Sequence, residues 1–289
     1  MSEVQPAQPV TPELRAWILE QAKAGAQPEA VLASMKASGW REEVAIAALE
    51  DTLRGFLDER AKAAQLPPPV PVPEPLPAGG GMTTAIQLPD REVRVVMAMR
   101  DPRVVVFGGL LSHDECDELM ALAARRLTRS ETVQTDTGGN EVNSARTSQG
   151  MFFERGENEL CRRIEARIAA LIHWPVENGE GLQVLKYLPG AEYKPHYDYF
   201  DPAQPGTATI LKRGGQRVGT VVMYLNDPEV GGGTTFPDVQ LEVAPVKGNA
   251  VFFSYDRAHP ASKTLHGGAP VVAGEKWVAT KWLREGVFR

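Results

Sequence analysis

The pattern of apolar and polar positions changes character twice along the chain. Between residues 11 and 62 the apolar positions recur at helical spacing. Leu14, Trp17 and Ile18 share one face after Thr11-Pro12, a capping hydroxyl followed by proline at the first helical position, and Gly25 ends that helix. Val31, Leu32 and Met35 mark a second helix from about Pro28 to Gly39. Val44, Ala45, Ala48, Leu49 and Leu53 mark a third, from about Arg41 to Lys62. The periodicity then stops. Leu66-Pro-Pro-Pro-Val-Pro-Val-Pro-Glu-Pro-Leu-Pro-Ala-Gly-Gly-Gly81 predicts an extended polyproline rod ending in a glycine swivel.

Beyond Glu92 the apolar residues come in short β-branched runs. Residues 93–97 and 104–107 read as strands. Ser112 and Glu115 form a capping box that opens a helix to about Arg126, and a further helix spans roughly 158–172. After Gly181 the text is strand upon strand: 182–188, 193–199, 217–226, 241–244, 249–254 and 276–284. The expected fold class is α+β, a double-stranded β-helix (jelly roll) braced by helices and preceded by a small all-α domain. The domains follow: helices over 1–65, a Pro/Gly-rich linker over 66–81, and the β domain over 82–289.

Composition narrows the class. With 43% hydrophobic and 24% charged residues, the chain has the makeup of an ordinary globular protein. A formal charge of −6 argues against a nucleic-acid partner, which usually meets a basic surface. Cys116 and Cys161 are too few for a disulfide framework and read as reduced thiols. Residues 1–20 lack a basic segment leading into an apolar core, and no apolar run reaches the ~18 residues of a membrane span. A cytoplasmic location without membrane contact is expected.

The chemistry gathers around Tyr187-Leu-Pro-Gly-Ala-Glu-Tyr-Lys-Pro-His196-Tyr-Asp198-Tyr-Phe200, a strand, a Pro-Gly turn and a second, tyrosine-rich strand. Residues two apart on a strand share a face, which aims His196 and Asp198 the same way. His-x-Asp alone more often marks a structural or surface pair than a metal site. His266 adds a third donor, and Lys276 follows ten positions later. Two histidines and one carboxylate make the facial triad of non-haem iron(II) oxygenases, leaving positions for a bidentate 2-oxo acid and O2. The lysine would hold the far carboxylate of that acid. His259, before Pro260, has Ala269 where a lysine would be needed. His113, in a helix's first turn, and His173, at a helix's end, read as structural.

These residues, set among Gln216-Arg217-Val, Tyr224-Leu-Asn, Gly231-Gly-Gly-Thr-Thr-Phe-Pro237 and Lys276-Trp277…Thr280-Lys-Trp282, resemble the 2-oxoglutarate/Fe(II)-dependent prolyl 4-hydroxylase family over roughly Val104 to Glu285. The resemblance implies Fe(II) on His196, Asp198 and His266, with 2-oxoglutarate and O2 as cosubstrates and ascorbate in support. It implies 2-oxoglutarate contacts from Lys276, Thr280, Tyr187 and Tyr224, although Tyr224 reads equally well as a barrel residue with a satisfied hydroxyl. Arg217 and Trp282 would line a groove for a Pro-containing protein or peptide. Arg146, in a small, polar loop over Thr135–Ser148, would join them as that loop closes, and Asp201–Gly215 would form a second such loop. The carboxylate of Asp198 favours hydroxylation, since relatives that halogenate lack it.

Two other readings stand beside this one: an oxygenase acting on another side chain or a small molecule, and a module that merely binds Pro-rich segments. Residues 66–77 could be an intramolecular ligand of the same groove, or its substrate. Met35 to Leu49 resembles the ubiquitin-associated-like three-helix module, which makes the first domain an accessory bundle and a candidate surface for a protein partner.

Overall fold

The computed structural model describes residues 8–76, 83–129, 132–133, 140–141 and 147–289. Two compact units make up the chain, Met1–Pro68 and Pro69–Arg289. The first is a three-helix bundle of α1 (Pro12–Lys23), α2 (Pro28–Ala37) and α3 (Glu42–Ala63). The Thr11 hydroxyl accepts from the Leu14 N–H, capping α1 as its sequence predicts. Ile18, Val31, Met35, Ala45, Ala48 and Leu49 are its buried core, each from the apolar stripe of its helix.

The second unit begins with β1 (Ala85–Gln87), β2 (Glu92–Met99), β3 (Arg103–Gly108), α4 (His113–Ala124) and the short β4 (Thr128–Arg129), β5 (Thr132–Val133) and β6 (Asn140–Glu141). Then come β7 (Gln149–Phe153), α5 (Glu159–Ile172), β8 (Leu182–Tyr187), β9 (Tyr193–His196), α6 (Thr207–Leu211), β10 (Arg217–Tyr224), β11 (Val230–Gly231) and β12 (Thr234–Phe236). The chain closes with β13 (Leu241–Val243), β14 (Ala250–Ser254), β15 (His266–Gly268), β16 (Val271–Ala273) and β17 (Lys276–Arg284). A major sheet runs β1-β2-β3-β14-β10-β17-β8-β7-β4 and a minor sheet runs β13-β12-β15-β9. Between β8 and β17 the chain passes back and forth between the two sheets, and that is the winding of a double-stranded β-helix.

Alternation along the strands sorts two cores. Val221 and Met223 of β10, with Trp277, Ala279 and Leu283 of β17, face outward to α4 and α5. Tyr224, Val278, Leu185 and Phe253 face inward, between the sheets. Capping of α4 is by the expected box, with Ser112 accepting from Glu115 N–H and Glu115 accepting from Ser112 N–H. His113 opens that helix, and His173 closes α5 in a left-handed conformation, its Nδ1 2.9 Å from the Glu74 carbonyl.

Three expectations change. The strand predicted over 193–199 stops at His196, because the chain bends there and leaves the sheet before Asp198. The predicted loop 201–215 contains α6, whose Thr207 and Ile210 are buried, so an anchored turn stands where a free flap was expected. The polyproline stretch is no simple tether. Residues 69–76 belong to the larger unit: Val70 N–H donates to the Asp256 carbonyl at 2.8 Å, and Glu74 takes both Nε and Nη2 of Arg103. Buried Pro73 lies against the outward face of Gly219, where an added Cβ would stand 3.3 Å from the proline ring. The segment therefore binds its own domain, but on the face turned away from the inner pocket. Residues 77–82 lie outside the described residues.

Candidate metal and cosubstrate site

His266 and His196 stand directly opposite each other in the β15–β9 ladder, and the bend after β9 swings Asp198 in beside them. Asp198 Oδ1 lies 3.5 Å from His196 Nε2 and Oδ2 lies 3.5 Å from His266 Nε2. One donor atom from each of the three can be chosen so that all lie within 4.8 Å of one another. Glycine is needed here: a Cβ on Gly267 would meet the Tyr193 carbonyl at 2.8 Å and force β15 off β9.

The donor set fits a divalent metal. Nδ1 of His196 is 2.9 Å from the Lys194 carbonyl and Nδ1 of His266 is 3.0 Å from the Thr264 carbonyl. A carbonyl only accepts, so each Nδ1 carries the proton and each Nε2 turns its lone pair inward. Burial pushes His266 down to about 4, against the raising effect of Asp198, which keeps the imidazole neutral. Burial alone would raise the Asp198 carboxyl. The neighbouring His266 and His196 rings and the positive Arg217 outweigh it and hold the group far below the usual range. Tyr193 stacks on His196 at 3.7 Å, and Phe253 lies 4.5 Å from His266, so both rings are fixed before any ligand arrives. An Asp198→Ala protein should lose more than about 100-fold in Fe(II) affinity, exceeding the loss usual for outer partners of a metal ligand. Anaerobic metal titration measures it.

The pocket around these three is lined by Tyr187, Thr220, Thr234, Lys276, Thr280 and Trp282, among others. Lys276 is 4% exposed, and no carboxylate forms an ion pair with it among the described residues. Desolvation pushes its ammonium down to about 8, with Glu242 pulling weakly the other way. Its Nζ sits 5.5 Å from the centre of the Tyr187 ring, and a Cβ added at Gly268 would stand 3.7 Å from it. A buried cation without a counter-charge, facing three metal donors across a short pocket, is a receptor for an anion that can also chelate.

The remaining candidates separate. Tyr187 and Thr280 line the pocket. Tyr224 is fully buried and donates to Thr234 Oγ1 at 2.8 Å, so its hydroxyl is spent on holding Thr234, which does line the pocket. Trp282 lines the pocket with an Nε1–H that meets no acceptor among the described residues. Arg217, expected along a substrate groove, stands behind that ring, 4.0 Å from it and paired through Nε and Nη2 with Glu180. Its charge is already neutralised inside the fold. Arg146 lies outside the described residues. Thr220, Tyr255, Thr234, Tyr193 and Glu180 are the residues that reading the sequence missed. The one available signal was a hydroxyl or an acid inside an otherwise apolar or glycine-flanked stretch, as in Val218-Gly-Thr-Val and Gly179-Glu-Gly.

Residues 182–284 match the family described as the 2OG-Fe(II) oxygenase superfamily. Prolyl 4-hydroxylase 5 of Arabidopsis thaliana is 40% identical over 211 residues, which cover 65% of this chain and 70% of the relative. The chain belongs to the 2-oxoglutarate/Fe(II)-dependent prolyl 4-hydroxylase family. Prolyl 4-hydroxylase 1 of the same plant is 42% identical over 201 residues, covering 64% of this chain and 69% of its own. The viral collagen prolyl hydroxylase of Paramecium Bursaria Chlorella virus-1, solved with 2OG, is 31% identical with a TM-score of 0.48, covering 63% of this chain and 95% of that one. Membership makes Fe(II) the metal of His196, Asp198 and His266, and 2-oxoglutarate the cosubstrate.

Proposed function

We propose that this protein is a prolyl 4-hydroxylase that acts on proline in a protein or peptide. The observation that carries the reading is the pocket itself: three metal donors at one end and an uncompensated Lys276 at the other, in a chain 40% identical to a named prolyl 4-hydroxylase. Fe(II) held there supplies oxidative decarboxylation of 2-oxoglutarate to succinate and CO2, with the second oxygen atom of O2 going to a C–H bond of the substrate. The protein's own share is binding and orientation. Nδ1–H bonds to backbone carbonyls aim both imidazoles, Lys276 and Thr280 fix the far carboxylate, and Val222, Val278 and Leu185 keep water from the pocket walls.

Support for a peptide over a small molecule comes from Trp282. A proline-rich chain in the polyproline II conformation has no internal hydrogen bonds, so its carbonyls are free to accept. The Trp282 ring, which lines the pocket, offers such a chain an aromatic surface to pack on. The test is succinate formation with Fe(II), ascorbate and O2, with and without Pro-rich peptides, among them residues 66–77. Peptide-stimulated succinate with one oxygen atom gained on proline is expected. Succinate formation that no proline peptide stimulates would turn the reading toward another substrate, and binding without turnover would turn it toward the binding module. A cytoplasmic location belongs to the same proposal.

A further inference from the structure

Thr220 is out of place by composition. It lies on the inward face of β10 between Val218 and Val222, with no exposed surface. A hydroxyl in such a row is costly unless it is answered. Its Oγ1 lies 2.7 Å from Asp198 Oδ2 and 3.2 Å from the Tyr255 hydroxyl, which is itself buried just past the end of β14. Proton counting gives these contacts a direction. An ionised carboxylate only accepts, so the single hydroxyl proton of Thr220 points to Asp198. The Tyr255 proton must then point to Thr220, because the threonine oxygen retains only acceptor capacity. The chain Tyr255–Thr220–Asp198 thus has one consistent ordering, and each bond polarises the next.

Asp198 has little else to hold it. The residue lies in a bend past the end of β9, and among the described residues its carbonyl meets only Arg217 Nη1, at 3.5 Å. A carboxylate free to turn could offer a metal either one oxygen or both. If both bound, one of the three positions needed by a bidentate oxo acid and O2 would be taken. Thr220 engages Oδ2 and leaves Oδ1 as the unencumbered donor on the side of His196.

We propose that the Tyr255–Thr220 hydroxyl pair is a positioning relay that holds Asp198 to one-oxygen ligation and so keeps the third open position of the metal available. The inference rests on the metal site described above and adds to it two residues that act through Asp198. Their placement follows from the β10–β14 register, in which Thr220 stands opposite Phe253 and Tyr255 N–H donates to the Val218 carbonyl.

The test compares Thr220→Val, Thr220→Ser and Tyr255→Phe in the full chain, each first checked for folding by circular dichroism. Anaerobic Co(II) titration reports metal affinity, and the visible Co(II) bands report coordination number before and after 2-oxoglutarate is added. The valine protein should bind Co(II) about tenfold more weakly, in the range known for partners of metal ligands. Its Co(II) bands should differ from the parent's, and it should need more 2-oxoglutarate to complete the spectral change. Serine, which keeps the hydroxyl, should restore both. Phenylalanine at 255 should shift both in the same direction by less, and it carries the test if the valine protein does not fold. Affinity and bands unchanged within twofold in the valine or phenylalanine protein, or a serine protein as impaired as the valine one, would overturn the relay while leaving the metal site intact. A parent that binds no Co(II) would overturn both.

Discussion

A Lys276→Met protein is expected to bind Fe(II) like its parent, to require at least about 100-fold more 2-oxoglutarate for half-maximal turnover, and to be more stable than the parent when cosubstrate is absent. All three effects have one cause. The ammonium is buried without an ion-pair partner and is pushed down from 10.5 to about 8. At roughly 1.4 kcal/mol per unit, holding that charge in the empty pocket costs on the order of 3 kcal/mol. A bound carboxylate removes the cost, and losing such a charge-assisted contact is worth a factor of about 100 or more. The same shift fixes a pH dependence. Between about pH 8 and pH 10.5 the unfolded lysine still holds its proton while the folded one gives it up. The unfolded state binds more protons there, so the cosubstrate-free protein gains stability as pH rises through that window. Urea midpoints at several pH values should show this slope in the parent and a smaller one in the methionine protein. Equal slopes would show that the ammonium is not desolvated in the empty pocket, and an unchanged 2-oxoglutarate requirement would show that Lys276 does not face the cosubstrate.

The second large effect concerns Glu180. One carboxylate serves two buried guanidinium groups: Arg217 through Nε and Nη2, and Arg284 through Nε at 2.7 Å. The sharing is unequal. Despite its burial, Arg217 is held above the ordinary guanidinium value by Glu180 and Asp198, whereas desolvation and repulsion from Arg217 leave Arg284 below it. Replacing Glu180 with alanine strands both charges, and a loss of about 3–5 kcal/mol is expected, the range for breaking a buried ion pair from one side. Metal affinity should fall as well, because the freed Arg217 already touches the Asp198 carbonyl and would compete for its carboxylate. A triple replacement, Glu180→Leu with Arg217→Met and Arg284→Met, should recover much of the stability, since a neutral cluster of similar volume leaves no stranded charge and avoids the desolvation cost. A single variant as stable as the parent would mean that water reaches the cluster and solvates the stranded charges.

Much of the site was legible before any fold was known. His196, Asp198, His266 and Lys276 could be picked out because metal-ligating side chains and a lysine are expensive in strands otherwise built to be buried. The long strands were legible too: β8, β10, β14 and β17 carry unbroken apolar or alternating runs and were placed within two residues. Several of the shortest strands were not. Thr234–Phe236 and His266–Gly268 of the minor sheet, and Val271–Ala273, which pairs with β11, are three residues each, and glycine-rich surroundings give them no period to read.

Residue identity by itself determined the donor set, the lysine, the helical bundle at the start and the proline-rich stretch after it, because each is a matter of local chemistry or local period. Register decided the rest. That His266 pairs across the ladder with His196, that Lys276 stands opposite Tyr187, and that Thr220 comes beneath Asp198 all depend on how strands far apart in the chain align. A shift of one residue would turn each side chain to the other face. The same holds for Arg217, whose chemistry suits a substrate groove equally well until Glu180, 37 positions earlier, is found beside it. It holds also for residues 69–76, which composition marks as a spacer and which Gly219, Arg103 and Asp256 hold on the outer face of the sheet. Long-range pairing carries no local signature, since the energy that selects it is spread over contacts between segments that neither sequence window contains.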